Sequence, residues 1–143
     1  MAKPRIFISS TYYDLKSVRA DMERYIRERG YEAVLNERGH IPYGKEKKPE
    51  EYCYKEIELC DILIAIMGGR FGSDSVEHPY SISQKELKRA LELNRPVYIF
   101  VQKDVLAEFR TYERNKGVDT VKYAAVDDVR VYQFLEEIGR AHV

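Results

Sequence analysis

After its first residue, the stretch from Asp61 to Met67 (DILIAIM) is apolar without interruption. A strand with one wet face alternates polar and apolar residues. A strand that is apolar on both faces belongs in the middle of a sheet covered by helices, the usual environment of parallel strands. The rest of the chain supplies such a sheet. Arg5 to Ser9 (RIFIS) is a short β-rich run, broken by STYYD, where Thr11 or Asp14 is available as a helix N-cap. Leu15, Val18, Met22, Tyr25 and Ile26 then recur at helical spacing, and Gly30 sits where a glycine stops a helix. Tyr31 to Leu35 predicts the second strand.

Residues 36–48 show no period and hold Gly39, Pro42 and Gly44, which predicts a long loop near the strand ends. Pro49 suits the first turn of the next helix, with Cys53, Ile57 and Cys60 facing inward. Gly68, Gly69 and Gly72 end the apolar strand. Ser83 to Asn94 predicts a helix with Leu87, Ala90 and Leu91 on one side, and Val97 to Val101 (VYIFV) a fourth buried strand. Val105, Phe109 and Tyr112 mark a helix closing at Gly117, Val121 to Val126 (VKYAAV) a short edge strand, and Val131, Phe134, Leu135 and Ile138 the last helix. Strands alternating with helices imply right-handed crossovers. The expected fold is α/β: a flavodoxin-like three-layer sandwich with a parallel sheet of four or five strands, in one domain over residues 1–143.

The chain has 143 residues, 44% of them hydrophobic, enough for one core. Lys plus Arg and Asp plus Glu number 24 each, so no basic excess points to nucleic acid. Cys53 and Cys60 are seven apart, a spacing that suits neither a redox pair nor a zinc site, and both are expected to be reduced, buried thiols. His40 and His78 stand alone in loops and His142 in the tail, so no metal site is expected. No apolar run nears the roughly 20 residues that cross a bilayer. A cytoplasmic protein without a membrane segment is expected.

In an open parallel sheet, ligands bind outside the carboxyl ends of the strands where strand order reverses. Two loops lie there. Ser9, Ser10 and Thr11, with Asp14 after them, can hold a phosphate or ribose, or can serve the turn and the helix cap. In Gly68, Gly69, Arg70, Phe71 and Gly72 the glycines allow close backbone approach to a ligand, although tight turns need glycines too. Arg70 can pair with a phosphate or carboxylate, and Asp74 follows in the next loop. Glu86 is open to two interpretations. Ser83-x-x-Glu86 matches a capping box; the same glutamate, near a helix start opening on the crevice, can also be an anion that stabilises or attacks a sugar cation.

The segments RIFISSTYYDLKSVRADMERYIRERGYEAV, CYKEIELCDILIAIMGGRFGS and SISQKELKRALELNRPVYIFV resemble an uncharacterised domain-of-unknown-function family found N-terminal to STAND NTPases. That family is similar to TIR domains and to nucleoside 2-deoxyribosyltransferases. FISSTYYD is similar to the first strand and loop of TIR domains. Ser83-Gln84-Lys85-Glu86 is similar to their Trp-Cys-x-x-Glu motif, with Ile82 at the tryptophan position and Ser83 at the cysteine position. Asp61, Gly68, Asp74, Glu86 and Ala90 resemble the deoxyribosyltransferase order. Both resemblances imply a catalytic Glu86 at an anomeric carbon, with Ser9, Ser10 and Thr11 on ribose or phosphate and Phe71 bounding the pocket. They imply cleavage or transfer at the N-glycosidic bond of NAD or a related nucleotide or nucleoside, with no cofactor, in the N-terminal effector domain of a larger sensor. The alternative they imply is a noncatalytic module that self-associates or contacts a C-terminal sensor domain.

Overall fold

A computed structural model of the chain describes residues 3–11, 14–35, 49–75 and 79–142. In chain order its elements are β1 (Arg5–Ser9), α1 (Lys16–Glu28), β2 (Glu32–Leu35), α2 (Pro49–Glu58), β3 (Ile62–Met67), α3 (Ile82–Glu92), β4 (Val97–Val101), α4 (Lys103–Arg114) and α5 (Arg130–His142). The four strands form one parallel sheet in the order β2-β1-β3-β4. This is the α/β flavodoxin-like sandwich that the strand and helix alternation predicts. The loop expected over 36–48, with Tyr43, and residues His40, His78, Tyr12 and Tyr13 lie outside the described residues. So do the side chains of Cys53 and His142.

Alternation along each strand divides the core in two. Ile6, Ile8, Ala33, Leu35 and Ile66 pack with Leu15 and Ile26 of the α1 region. Phe7, Val34, Leu63 and Ala65 face the other way, against Ile57, Leu87, Val105, Val131 and Phe134 from α2 to α5. One helix thus covers one face and four helices serve the other. The α1 stripe differs from expectation: Val18 and Tyr25 are exposed, while Arg19 is 1% exposed and takes the inward place between Leu15 and Ile26. Neither Thr11 nor Asp14 caps α1, whose N-cap is Leu15 without a side-chain bond; the Thr11 hydroxyl instead donates to Asp14 Oδ1. Gly30 does end the helix. Its φ is 85°, its amide donates to Arg27 and that of Tyr31 to Ile26, the paired bonds of a Schellman stop.

β4 is one of the two edge strands, and it is far more exposed than a buried strand would be. Tyr98 and Phe100 are 57% and 52% exposed, on the face that α1 covers only as far as β3. No helix among the described residues spans 18 residues of membrane-crossing hydropathy.

The edge strand expected at Val121 to Val126 does not form. Its amides are taken by a side chain: Glu108 accepts from the Ala124 and Ala125 amides, both at 2.9 Å, and from the Tyr132 hydroxyl at 2.7 Å. Burial would raise the Glu108 pKa, but these three donors outweigh it and hold the carboxyl below its ordinary range. The segment is thereby pressed onto Gly69, where a Cβ would overlap the Ala125 carbonyl oxygen. Replacing Glu108 with Ala strips the acceptor from three donors. The expected loss is about 1–3 kcal/mol in equilibrium denaturation, with Glu108→Gln losing less; wild-type stability in Glu108→Ala would remove the carboxylate as the organiser of this segment.

Candidate functional site

Strand order reverses between β1 and β3, and their carboxyl ends lie together because Ser9 pairs in register with Ala65. Beyond them the chain leaves in different directions, which opens a crevice. A cleft of about 360 Å³ lies there, bordered by Ser10, Thr11, Asp14, Arg70, Gly72, Ser73, Ile82, Ser83, Glu86 and Asp127. That volume falls within the roughly 300–1,000 Å³ typical of small-molecule sites. A narrower hollow of about 30 Å³, lined by Ser9, Gly68, Phe71 and Leu87 among others, shares Thr11, Arg70 and Ser83 with it. It holds no more than water, so the wider cleft is the candidate site.

The helix α3 is capped differently from expectation. Ser81, extended by its bridge to Asp74, is the N-cap. Its hydroxyl accepts from the Gln84 amide and Gln84 Oε1 accepts from the Ser81 amide, each at 3.2 Å. Two overlapping Ser-x-x-Glu/Gln boxes compete in the sequence, and the Asp74–Ser81 bridge settles the helix start on the earlier one. Glu86 is therefore released from capping. It is the fifth residue of α3, 1% exposed, with Oε1 accepting from Ser9 Oγ at 2.9 Å. Its Oε2 is buried without a hydrogen-bond partner among the described residues.

A buried carboxyl with one unserved oxygen resists ionisation. Burial raises the Glu86 pKa from 4.5 to about 7, against the Ser9 hydrogen bond and the positive charge of Arg19, which both lower it. The carboxyl is thus poised near neutrality. Ser9 Oγ also lies 3.3 Å from the Ser83 carbonyl oxygen, but has only one proton to give. With Glu86 ionised, Ser9 donates to the carboxylate. With Glu86 protonated on Oε1, Ser9 can accept from it and donate to Ser83. The two protonation states therefore have different hydrogen-bond directions at one fixed geometry.

The other expected site residues divide. Ser10, Thr11, Asp14, Arg70, Gly72 and Ser83 border the cleft, and Gly68 and Phe71 the narrow hollow. Gly72 has φ 87°, and a Cβ there would stand 2.9 Å from Thr11 Cγ2, so glycine lets the two loops meet. Gly69 borders neither space and serves contact with Ala125. Asp74 stands outside the cleft, accepting from Arg130 Nη1 at 2.9 Å. Arg70 is exposed at the rim and engages no carboxylate among the described residues.

Ser73, Ile82 and Asp127 border the cleft beyond the expected site residues, and Arg19 stands behind it. Asp127 closes the cleft because its carboxylate accepts from the Phe71 amide at 2.9 Å and its amide donates to Gly69 at 3.0 Å. No local sequence signal marks it. Arg19 lies behind the first loop, donating to Ser10 Oγ at 2.7 Å and to the Ser10 carbonyl at 3.1 Å. Its signal was present: Leu15, Arg19, Met22 and Ile26 follow the helical stripe, with a charge in an apolar place. Cys60 is free and buried, its thiol pushed up to about 12 chiefly by burial, and it is no nucleophile at neutral pH.

The sequence matches the profile of a domain of unknown function, DUF4062, over residues 5–143. The chain belongs to the DUF4062 family. The match takes in every element from β1 to α5, and so the whole crevice of this DUF4062 domain. None of the curated proteins compared with it matches.

The raised pKa makes Glu86 a cost to folding at high pH. Its contribution to stability is present below its unfolded value of 4.5 and is lost as pH rises through about 7. Glu86→Gln keeps the acceptor for Ser9 and cannot ionise. Its stability relative to wild type should therefore climb between pH 5 and pH 8, by on the order of a few kcal/mol, before levelling. Denaturant midpoints across that range check this; a pH-independent difference would mean that Glu86 titrates normally.

Proposed function

We propose that this DUF4062 domain cleaves or transfers at an N-glycosidic bond of NAD or a related nucleotide or nucleoside, with Glu86 as the working carboxylate. One observation carries the reading: Glu86 borders a ligand-sized cleft at the β1–β3 crevice with a buried oxygen that has no hydrogen-bond partner among the described residues. A structural glutamate released from capping would be expected to reach solvent or a cation. The resemblance to TIR domains and nucleoside 2-deoxyribosyltransferases, stated above from the sequence, points to the same residue. On this reading the domain is the effector of a larger sensor protein.

In the proposed reaction the C1′–N bond breaks and its electron pair leaves on the base. Positive charge develops at C1′, where the Glu86 carboxylate stabilises it or bonds to it. Water or an acceptor hydroxyl then forms the new bond to C1′, the Glu86–C1′ bond breaking where one had formed, and the proton of the attacking group passes to the free Glu86 carboxylate. A base that is already cationic, such as nicotinamide in NAD, needs no proton to leave. Ser10, Thr11 and Asp14 supply donors and acceptors for ribose hydroxyls, Arg70 a cation for a phosphate, and Gly72 the closeness of the two loops.

Purified protein incubated with NAD, and separately with nucleosides, should release free base. Glu86→Gln and Glu86→Ala should lower the rate by at least about 100-fold. The wild-type kcat/KM should rise with pH as Glu86 ionises, with a midpoint near 7 in the free protein. No base release by concentrated wild type, or full activity in both variants, would defeat this function.

A second reading, a noncatalytic self-associating module, is favoured by β4, an edge strand whose Tyr98, Ile99 and Phe100 are exposed. Such an edge is a template for pairing with a second copy. Sedimentation velocity should then show concentration-dependent association that the pair Tyr98→Ser, Phe100→Ser abolishes. A monomer at every concentration would end this alternative.

A further inference from the structure

Side chains alternate across a strand, so consecutive residues at the end of β1 point to opposite faces of the sheet. Ser9 follows Phe7 onto the α3 side and meets Glu86 at 2.9 Å. Ser10 turns to the α1 side and meets Arg19 at 2.7 Å through its hydroxyl and 3.1 Å through its carbonyl. Both charged side chains are 1% exposed. A buried carboxyl and a buried guanidinium thus hold adjacent serines from opposite sides of one strand end. Burying an arginine inside the α1 stripe costs solvation, and apolar packing alone would favour an aliphatic residue there. Two of its hydrogen bonds end on the backbone and side chain of the residue next to the Glu86 partner.

We propose that Arg19 is a positioning residue for Glu86: by clamping Ser10 from α1 it fixes the end of β1, so that the Ser9 hydroxyl stays on the Glu86 carboxyl. Its second effect acts through space, since a positive charge beside the crevice favours the ionised carboxylate. Among the described residues, the charged and titratable groups around Glu86 are then Arg19 from α1, Asp14 from the loop before α1, Arg70 after β3 and Asp127 before α5, with Ser9 the direct contact from β1. Arg19 is the one of these four that is buried, and so the least screened by water. The proposal rests on Glu86 being the working carboxyl of the site, but its test does not require turnover.

The test is a carbon-13 NMR titration of the glutamate carboxyls, with the Glu86 signal assigned by its loss in Glu86→Gln. In Arg19→Gln the Glu86 midpoint should rise from about 7 by roughly one pH unit. Arg19→Lys, which restores the charge, should return it close to wild type. Ser10→Ala keeps the guanidinium but breaks the 2.7 Å bond, and a smaller rise is expected. A purely structural Arg19 would lower the melting temperature and leave the midpoint in place. A folded Arg19→Gln with an unchanged midpoint, or a Lys variant shifted as far as the Gln variant, would overturn the proposal. If Arg19→Gln does not fold, Ser10→Ala decides: a raised midpoint supports the clamp and an unchanged one overturns it. An inactive wild type would defeat the proposed reaction and leave this result standing by itself.

Discussion

The pairing of β1 with β3 is the contact on which the rest of the structure depends. Strand order reverses across it, so the chain leaving β1 crosses one face of the sheet and the chain leaving β3 crosses the other. The crevice follows from that divergence and needs no special loop. The register of the pair sets Ser9 beside Ala65, and the glycines after β3 bring the second loop close. Gly68 admits Asp14, whose Oδ2 would lie 2.9 Å from a Cβ there, and Gly72 admits Thr11. The glycine turn therefore closes the two loops on each other, and the cleft is what remains between them.

Within that frame Glu86 neither caps α3 nor serves its apolar face, and its direct contact is the hydrogen bond it accepts from Ser9. The helix is capped by Ser81 and Gln84, and the α3 face is packed by Leu87 and Ala90. A carboxyl kept at such a place destabilises the ionised state, and the protein offsets only part of this with Ser9 and Arg19. Groups held against their solvation preference in a cleft are candidates for functional sites, because chemistry needs a carboxyl near its titration point. The same pressure acts on Arg19. Two unfavourable burials, one on each side of a single dipeptide, are hard to explain as separate accidents of packing.

The fold was legible in the sequence because its strongest signals are local: the unbroken apolar run of β3, the short apolar runs of β1 and β2, and Gly30 at a helix stop. Glu86 was legible as a candidate because position and residue type coincide. The mistakes share a cause, which is competition between equally good local rules. Ser83-x-x-Glu86 and Ser81-x-x-Gln84 are both capping boxes, and the choice depends on the Asp74–Ser81 bridge. Val121 to Val126 has the composition of a strand, but a distant carboxylate, Glu108, takes its amides. Arg19 reads as part of a charged face until its place on the stripe of Leu15, Met22 and Ile26 is compared with that of Val18 and Tyr25. Asp127 enters the cleft only through the fold.

The uneven covering of the sheet links the two functional readings. Among the described residues, four helices contribute to one core cluster, whereas the other face is covered by α1, which reaches Ile66 but leaves Tyr98 and Phe100 bare. The crevice and the bare edge therefore lie on different strands, with β3 between them. β4 hydrogen-bonds β3 through Met67 and Val101, and the amide of Gln102 donates to the Met67 carbonyl at 2.8 Å, immediately before Gly68. The proposed association at the edge and the proposed chemistry at the crevice would therefore use different parts of one sheet, and neither excludes the other.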